Sequence, residues 1–321
     1  CGGRDRFRVW PNDPRGAGCY CRVCEWKADA LDLGVEVTGA ASVADFLRDR
    51  GYLLDRPLSG EERRAAEALA AKSKAEQAEK RAKAEAERVA LFAELAEQTR
   101  QVSEAAGPLE GPAAEVVRSR GLDPELVPEG LVRWTPADLP ERYAGFLGGP
   151  RGDFDALFPH YSLGGGLAWF RGRQLTSNPK HKETSPSAPL PPGVFANAAG
   201  VEVLKGGPAP RGVTVTEGEG DGLVWACWRP TLPVIALNSG SARQLGARLG
   251  ELGVGTIYLR TDCDEQGDGY AQKFAQAAAG RLDLLRPERD GFKDDGERWL
   301  AGKLDPSPEA GCVPYTLDPP P

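Results

Sequence analysis

Between residues 213 and 297 short apolar β-runs alternate with helical segments, and three of the β-runs are followed by carboxylates. Val213 to Thr216 reads as a strand leading to Glu217, and Val234 to Leu237 as a second strand. Thr256 to Thr261 reads as a third, leading to Asp262-Cys263-Asp264-Glu265-Gln266-Gly267. Leu282 to Leu285 is a fourth, ahead of Lys293-Asp294-Asp295-Gly296-Glu297. Ala242 to Leu252 and Tyr270 to Gly280 have helical composition. This alternation predicts a parallel sheet with crossover helices. The acidic sets then gather at the carboxyl edge of one sheet, where open α/β sheets place their chemistry. As strand residues two apart, Asp262 and Asp264 face the same way and can share one cation. Hard oxygen ligands suit magnesium, or manganese, shared with substrate phosphates. Metal-dependent phosphoryl or nucleotidyl transfer is the chemistry to expect.

At 321 residues the chain has room for two or three domains. No apolar run approaches a membrane span and no secretory signal precedes the first domain. The net charge of −7 does not exclude a nucleic-acid partner, because the distribution of charge decides more than its sum. Four of the seven cysteines crowd into the first 24 residues, a clustering that favours metal over disulfides in an unsecreted chain. There is no methionine and the chain opens on Cys1, which reads as a fragment whose start lies upstream.

Arg4 to Trp10 alternates as a strand, with Asp5, Phe7 and Val9 on one face and Arg4, Arg6, Arg8 and Trp10 on the other. A turn through Pro11-Asn12-Asp13-Pro14 leads to a second strand near Tyr20 and to the knuckle Cys21-Arg22-Val23-Cys24, suited to tetrahedral zinc. The basic-aromatic stripe suits single-stranded nucleic acid, with phosphates on arginine and bases on the indole.

Ser59 to Glu62 is a capping box, and no proline or glycine follows until Gly107-Pro108, apart from Gly60 inside the box itself. Alanine, glutamate, lysine and arginine dominate, predicting one charged spacer helix roughly 65 Å long. Its first half carries almost no large apolar side chain. Val89, Leu91, Phe92, Leu95 and Val102 are the residues able to dock its second half. The next hundred residues, rich in glycine and proline, carry a basic cluster of Arg171, Arg173, Lys180, His181 and Lys182, with no acid until Glu183. Beside a metal site such a cluster can neutralise and align a polyanion.

Glu217-Gly218, then Asp262-x-Asp264-x-x-Gly267, then Lys293-Asp294-x-x-Glu297 resemble, in order, the three motifs of the Toprim domain. That domain is shared by DnaG-type primases, topoisomerases and some nucleases. Asp221 matches the further acid that DnaG-type primases carry, whereas Gly296 stands where many phage members have asparagine. Cys1-Gly2-Gly3 and Cys24 to Leu33 resemble parts of primase zinc ribbons. Arg118 to Glu125, Leu157-Phe158-Pro159, Gly172-Arg173 and Pro179-Lys180 resemble the amino-terminal lobe of the primase core. A further family lysine is absent from Leu190 to Phe195.

The resemblance implies a multidomain α/β architecture: a zinc-ribbon DNA-binding domain (1–55), a charged helical spacer (56–106), an α+β primase lobe (107–208), a Toprim domain with a parallel sheet (209–303) and a tail (304–321). It implies a DNA primase that makes short RNA primers on single-stranded DNA from ribonucleoside triphosphates, in the cytoplasm of a bacterial or phage-infected cell. Glu217, Asp262 and Asp264 would be catalytic. Asp221, Asp294 and Glu297 would join them in holding magnesium, and Arg173 and Lys180 would bind nucleotide or template. Arg4, Arg6, Arg8 and Trp10 would engage template. Zinc would sit on Cys1, Cys21 and Cys24, the fourth ligand lying upstream or being Cys19. The chain holds no G-x-x-x-x-G-K-[ST] loop, so a replicative helicase would be a separate protein or a missing carboxyl-terminal part. The alternatives are another Toprim enzyme of nuclease or topoisomerase type, and a catalytically idle single-stranded nucleic-acid-binding module.

Overall fold

The computed structural model describes residues 7–10, 18–21, 27–50, 59–146, 154–175, 183–209, 211–238, 241–288, 291–305 and 307–315. It divides into two compact units, residues 1–82 and 83–321. In the first, β1 (Phe7–Trp10), β2 (Gly18–Cys21) and β3 (Lys27–Asp29) form an antiparallel sheet in that order. Two helices follow, α1 (Ala30–Thr38) and α2 (Val43–Asp49). Asp29 starts α1, its Oδ1 accepting the Leu31 and Asp32 N–H groups at 2.8 and 2.9 Å.

The charged segment is a single helix, α3 (Gly60–Ala105), of 46 residues. It begins directly after Ser59 and stops before Gly107-Pro108, as the composition predicts. Its later turns, which belong to the second unit, are fastened by Leu95, Thr99 and Val102, each at most 1% exposed. Val89 and Leu91 stay exposed, so the docking stripe is narrower than the apolar residues suggest. Thr99 adds a polar tie, its hydroxyl lying 2.8 Å from that of Tyr143.

The second unit continues through α4 (Gly111–Arg118), β4 (Arg133–Trp134), β5 (Ala156–Tyr161), β6 (Leu167–Arg173), β7 (Glu183–Thr184), β8 (Val194–Ala196) and α5 (Ala198–Leu204). Next come β9 (Val213–Thr216), α6 (Glu219–Trp228), β10 (Val234–Ala236), α7 (Ala242–Leu252) and β11 (Thr256–Arg260). The chain ends with α8 (Glu265–Ala278), β12 (Asp283–Pro287), α9 (Asp295–Leu300) and β13 (Cys312–Pro314). Among the described residues ten strands form one mixed sheet, in the order β13-β12-β11-β9-β10-β8-β5-β6-β7, with β4 beside β5. Within it β12, β11, β9 and β10 are mutually parallel. That is the parallel sheet expected of 209–303.

The segments 107–208 and 209–303, expected as separate domains, are continuous in this sheet. Antiparallel β8 pairs with β10 on one side and with β5 on the other. The cores are shared in the same way. On one face Val194, Val203 and Leu204 pack with Val213, Val215, Ile257 and Leu259, beneath α7 and α8. On the other, Val116, Val117 and Phe158 pack with Leu223, Trp225 and Ala236. Each such fully buried side chain contributes roughly 1.5–3 kcal/mol. Described parts of the segment 304–321, expected as a tail, join the unit: β13 pairs with β12, and Leu304 is buried in the second cluster. Among the described residues no helix is long and apolar enough to cross a membrane.

Candidate metal centre

Register brings the acids together. Thr216 on β9 lies opposite Arg260 on β11 and Ala236 on β10, so β9 and β11 leave the sheet at the same edge. Glu217 follows β9 immediately. Asp262 and Asp264, by contrast, are not strand residues, because β11 ends at Arg260. Asp264 is instead the N-cap of α8, its Oδ1 accepting Gly267 N–H at 2.9 Å. The helix expected to begin at Tyr270 therefore starts at Glu265. The two aspartates converge through a tight loop and not through strand alternation. Gly267 makes the loop possible, since a Cβ there would overlap the Asp262 carbonyl. Asp294 caps α9 in the same manner, accepting Glu297 N–H at 2.7 Å.

Two overlapping triads result. One oxygen each from Glu217, Asp262 and Asp264 lie within 4.8 Å of one another, and so do oxygens of Asp221, Asp262 and Asp294. Asp262 belongs to both. Glu217 also accepts the Asp262 N–H at 3.2 Å and the Gln266 amide at 3.1 Å. Asp221, in the first turn of α6, accepts Gly296 N–H at 2.8 Å. The glycine at 296 lets backbone approach this closely: a Cβ would lie 3.1 Å from Asp221 Oδ1 and 3.3 Å from Asp294 Oδ1. Glu297 is not brought into either triad. Its carboxylate turns back to accept Lys293 N–H at 2.9 Å.

Burial and mutual repulsion raise the proton affinity of these groups. Burial first, then the Asp294, Asp295 and Asp262 carboxylates, push Asp221 up to about 8. Burial and the Asp262 charge likewise raise Glu217. Asp262 is raised by burial, against the pull of Lys293. Crowded carboxylates of this kind fit a divalent cation, which relieves the crowding and takes hard oxygen ligands.

A second polar layer lies beside the triads, in part unannounced by the sequence. Glu219, 1% exposed, receives Arg171 at 3.2 Å and Arg173 at 3.4 Å, and both arginines also reach Glu183. Burial alone would raise the Glu219 carboxyl, but the two guanidiniums outweigh it and hold it well below the usual range. Arg173 is thus a paired, nearly buried cation. Of the two acids that pair it, Glu183 stands ten residues on in the sequence and Glu219 stands 46 residues on. Arg120 lies within the segment Arg118 to Glu125. Its guanidinium carbon lies 3.0 Å from where a Cβ on Gly220 would stand, near the Asp221 and Asp294 charges, and burial and the Arg173 charge depress its pKa. It makes no ion pair among the described residues.

The buried Asp295 anchors the centre from behind. It takes Arg260 through both oxygens, Arg298 at 2.7 Å and Trp225 Nε1 at 2.7 Å. This ties the start of α9 to the end of β11. Of the remaining candidates, Arg8 and Trp10 lie on β1 and Cys19 and Cys21 on β2. Cys1, Arg4, Arg6, Cys24 and Lys180 lie outside the described residues.

No protein-family model matches the sequence, and no curated protein matches it either. Among solved structures the chain is similar to the zinc-binding and RNA polymerase domains of the Aquifex aeolicus primase, at 16% identity over 94% of this chain and 77% of that one, TM-score 0.49. It is also similar to a DnaG primase catalytic domain bound to single-stranded DNA (17% identity, 65% and 75% covered, TM-score 0.45). A third similarity is to the primase fragment of the bacteriophage T7 primase-helicase protein (21%, 46% and 58%, TM-score 0.36). These neighbours are all primases. At such identities and TM-scores they decide nothing about the reaction, which has to be read from the carboxylates themselves.

Proposed function

We propose that the chain is a DNA primase of the DnaG type, joining ribonucleotides into short RNA on a single-stranded DNA template. The observation that carries this reading is the pair of carboxylate triads sharing Asp262 at the carboxyl edge of a parallel sheet. They are built from three motifs that resemble, in order, those of the Toprim domain.

Glu217, Asp262 and Asp264 would hold one magnesium or manganese ion, and Asp221, Asp262 and Asp294 a second. Bound there, the metal would lower the pKa of the primer 3′-hydroxyl and neutralise the leaving pyrophosphate. Glu217, with its raised proton affinity, would accept a proton from that hydroxyl or organise the metal. Arg120, near the Asp221 and Asp294 charges and without an ion pair among the described residues, would meet a triphosphate or template phosphate. Arg173 and Arg171 are held by Glu219 and Glu183, so this layer is close to neutral and serves to fix position beside it. Lys180 is proposed as a further phosphate contact from the sequence pattern, as are Arg4, Arg6, Arg8 and Trp10 for template. Zinc on Cys1, Cys21 and Cys24, with an upstream ligand or Cys19 as the fourth, is proposed for the amino-terminal segment, and a replicative helicase as partner.

The test is a gel assay for radiolabelled short RNA, supplying single-stranded DNA, ribonucleoside triphosphates and magnesium, with Asp262→Asn as control. RNA products that vanish in the control support priming. Cleaved DNA without RNA would make the chain a nuclease. Binding with neither product would leave an idle module.

A further inference from the structure

The Lys293 side chain reaches the point where the carboxylates converge. Its Nζ lies 2.9 Å from Asp262 Oδ2 and 3.8 Å from Asp264 Oδ2. It therefore touches the carboxylate common to both triads and one further member of the first. The backbone of Lys293 is fastened on both sides. Its carbonyl accepts Cys263 N–H at 2.7 Å, inside the D-x-D loop, and its own N–H donates to Glu297 Oε2 at 2.9 Å, in the first turn of α9. The root of the side chain is thus fixed to the two segments that carry Asp262, Asp264 and Asp294. The stem is different, for the side chain is 53% exposed. The ammonium can withdraw into water without breaking either backbone hydrogen bond. Arg260 makes the contrast: its side chain is buried, bound to both Asp295 oxygens and to the Pro308 carbonyl, and has nowhere to go.

We infer that Lys293 is a built-in counter-ion of the metal centre, sitting at the shared carboxylate while no metal is bound and displaced when a divalent cation enters. The inference rests on the metal-centre reading above and gives it a regulatory element. A lysine suits the task where an arginine does not, being a compact, strongly hydrated charge on a flexible stem. Two consequences oppose each other. The ammonium lessens repulsion among the carboxylates and so steadies the metal-free protein. It also competes with the metal, so the centre binds divalent ions more weakly than its charge would dictate and releases them more readily.

The experiment is Mn2+ titration of the full chain by electron paramagnetic resonance, alongside melting curves with chelator and with Mn2+. Wild type is compared with Lys293→Met, Lys293→Gln and Lys293→Arg. Both neutral variants should bind Mn2+ roughly five- to tenfold more tightly, the effect of removing one unit charge at this range in a water-exposed setting. Their metal-free melting temperature should fall, and Mn2+ should raise it by more than in wild type. Lys293→Arg, which keeps a charge, should stay nearer wild type in affinity. Unchanged or weaker Mn2+ affinity in both neutral variants, with wild type binding normally, would overturn the inference and leave the metal centre standing. Absence of Mn2+ binding in wild type and neutral variants alike would overturn the metal centre and the inference together.

Discussion

Asp262 is the one carboxylate that both triads need, and its neighbours are not equivalent to it. Asp262→Asn should abolish Mn2+ binding and primer synthesis while leaving the fold intact, because the amide keeps the volume and loses the charge. Asp264→Asn or Asp294→Asn each alters one triad only, so each should keep one Mn2+ equivalent near wild-type affinity and weaken the other by titration. Equal loss in all three would sink the shared-ligand arrangement. Asp221 carries a different signature. Its carboxyl titrates at about 8 in the folded protein against an ordinary 3.8. The folded state therefore holds a proton between those values that the unfolded chain releases. Stability of the metal-free protein should fall as pH rises through this window, by up to about 1.4 kcal/mol per pH unit. Raised Glu217 and Asp262 act in the same direction. Depressed Glu219 acts only below its ordinary range. Melting curves in chelator from pH 5 to 8 should show the slope, and Asp221→Asn should flatten it. The arginines divide as well. Arg120→Ala should weaken binding of nucleotide or template and flatten its salt dependence by about one unit or less, with little change in stability. Arg173→Ala should also destabilise, because buried Glu219 loses a partner.

The elements that deliver these residues depend on contacts the sequence states unevenly. The order of strands and helices from Val213 to Leu285 is legible because apolar runs and helical composition alternate there, and α7 is found with the expected ends. The D-x-D geometry is not, because a cap and a glycine loop replace strand alternation, and neither has a periodicity. Glu219, Arg120 and Asp295 escaped for another reason. Glu219 meets arginines 46 and 48 residues away, and Arg120 stands near Asp221 and Asp294, far along the chain. Asp295 has Arg298 close in sequence, but Arg260 and Trp225 stand 35 and 70 residues away. Asp295 illustrates what such a hidden residue carries. Truncating it to alanine leaves Arg260 and Arg298, 6% and 4% exposed, without their shared anion. A loss of about 3–5 kcal/mol is expected by denaturant unfolding. Gly267→Ala acts on the neighbouring loop, where the added methyl overlaps the Asp262 carbonyl. It should cost about 1–3 kcal/mol and lower Mn2+ affinity together with stability.

Over the whole second unit, one sheet carries both the basic lobe and the acidic edge. Composition separates these segments, since one is rich in glycine and proline and the other alternates regularly, and β8 is too short to announce the join. Hydrogen exchange should find β5 and β6 opening with the same free energy as β9 and β11, as one cooperative block. Two separate opening energies would count against a shared core. The join itself has few rungs: Ile235 faces Ala196 and Ala236 faces Phe195. The connection from Leu204 to Gly212, with exposed Lys205 and Gly206, spans it. A chain nicked in that connection would become two complementary halves, each sticky along one strand edge, β8 on one piece and β10 on the other. Such halves would find each other before anything else, and the lobe and the metal centre could be supplied as separate pieces that restore one sheet.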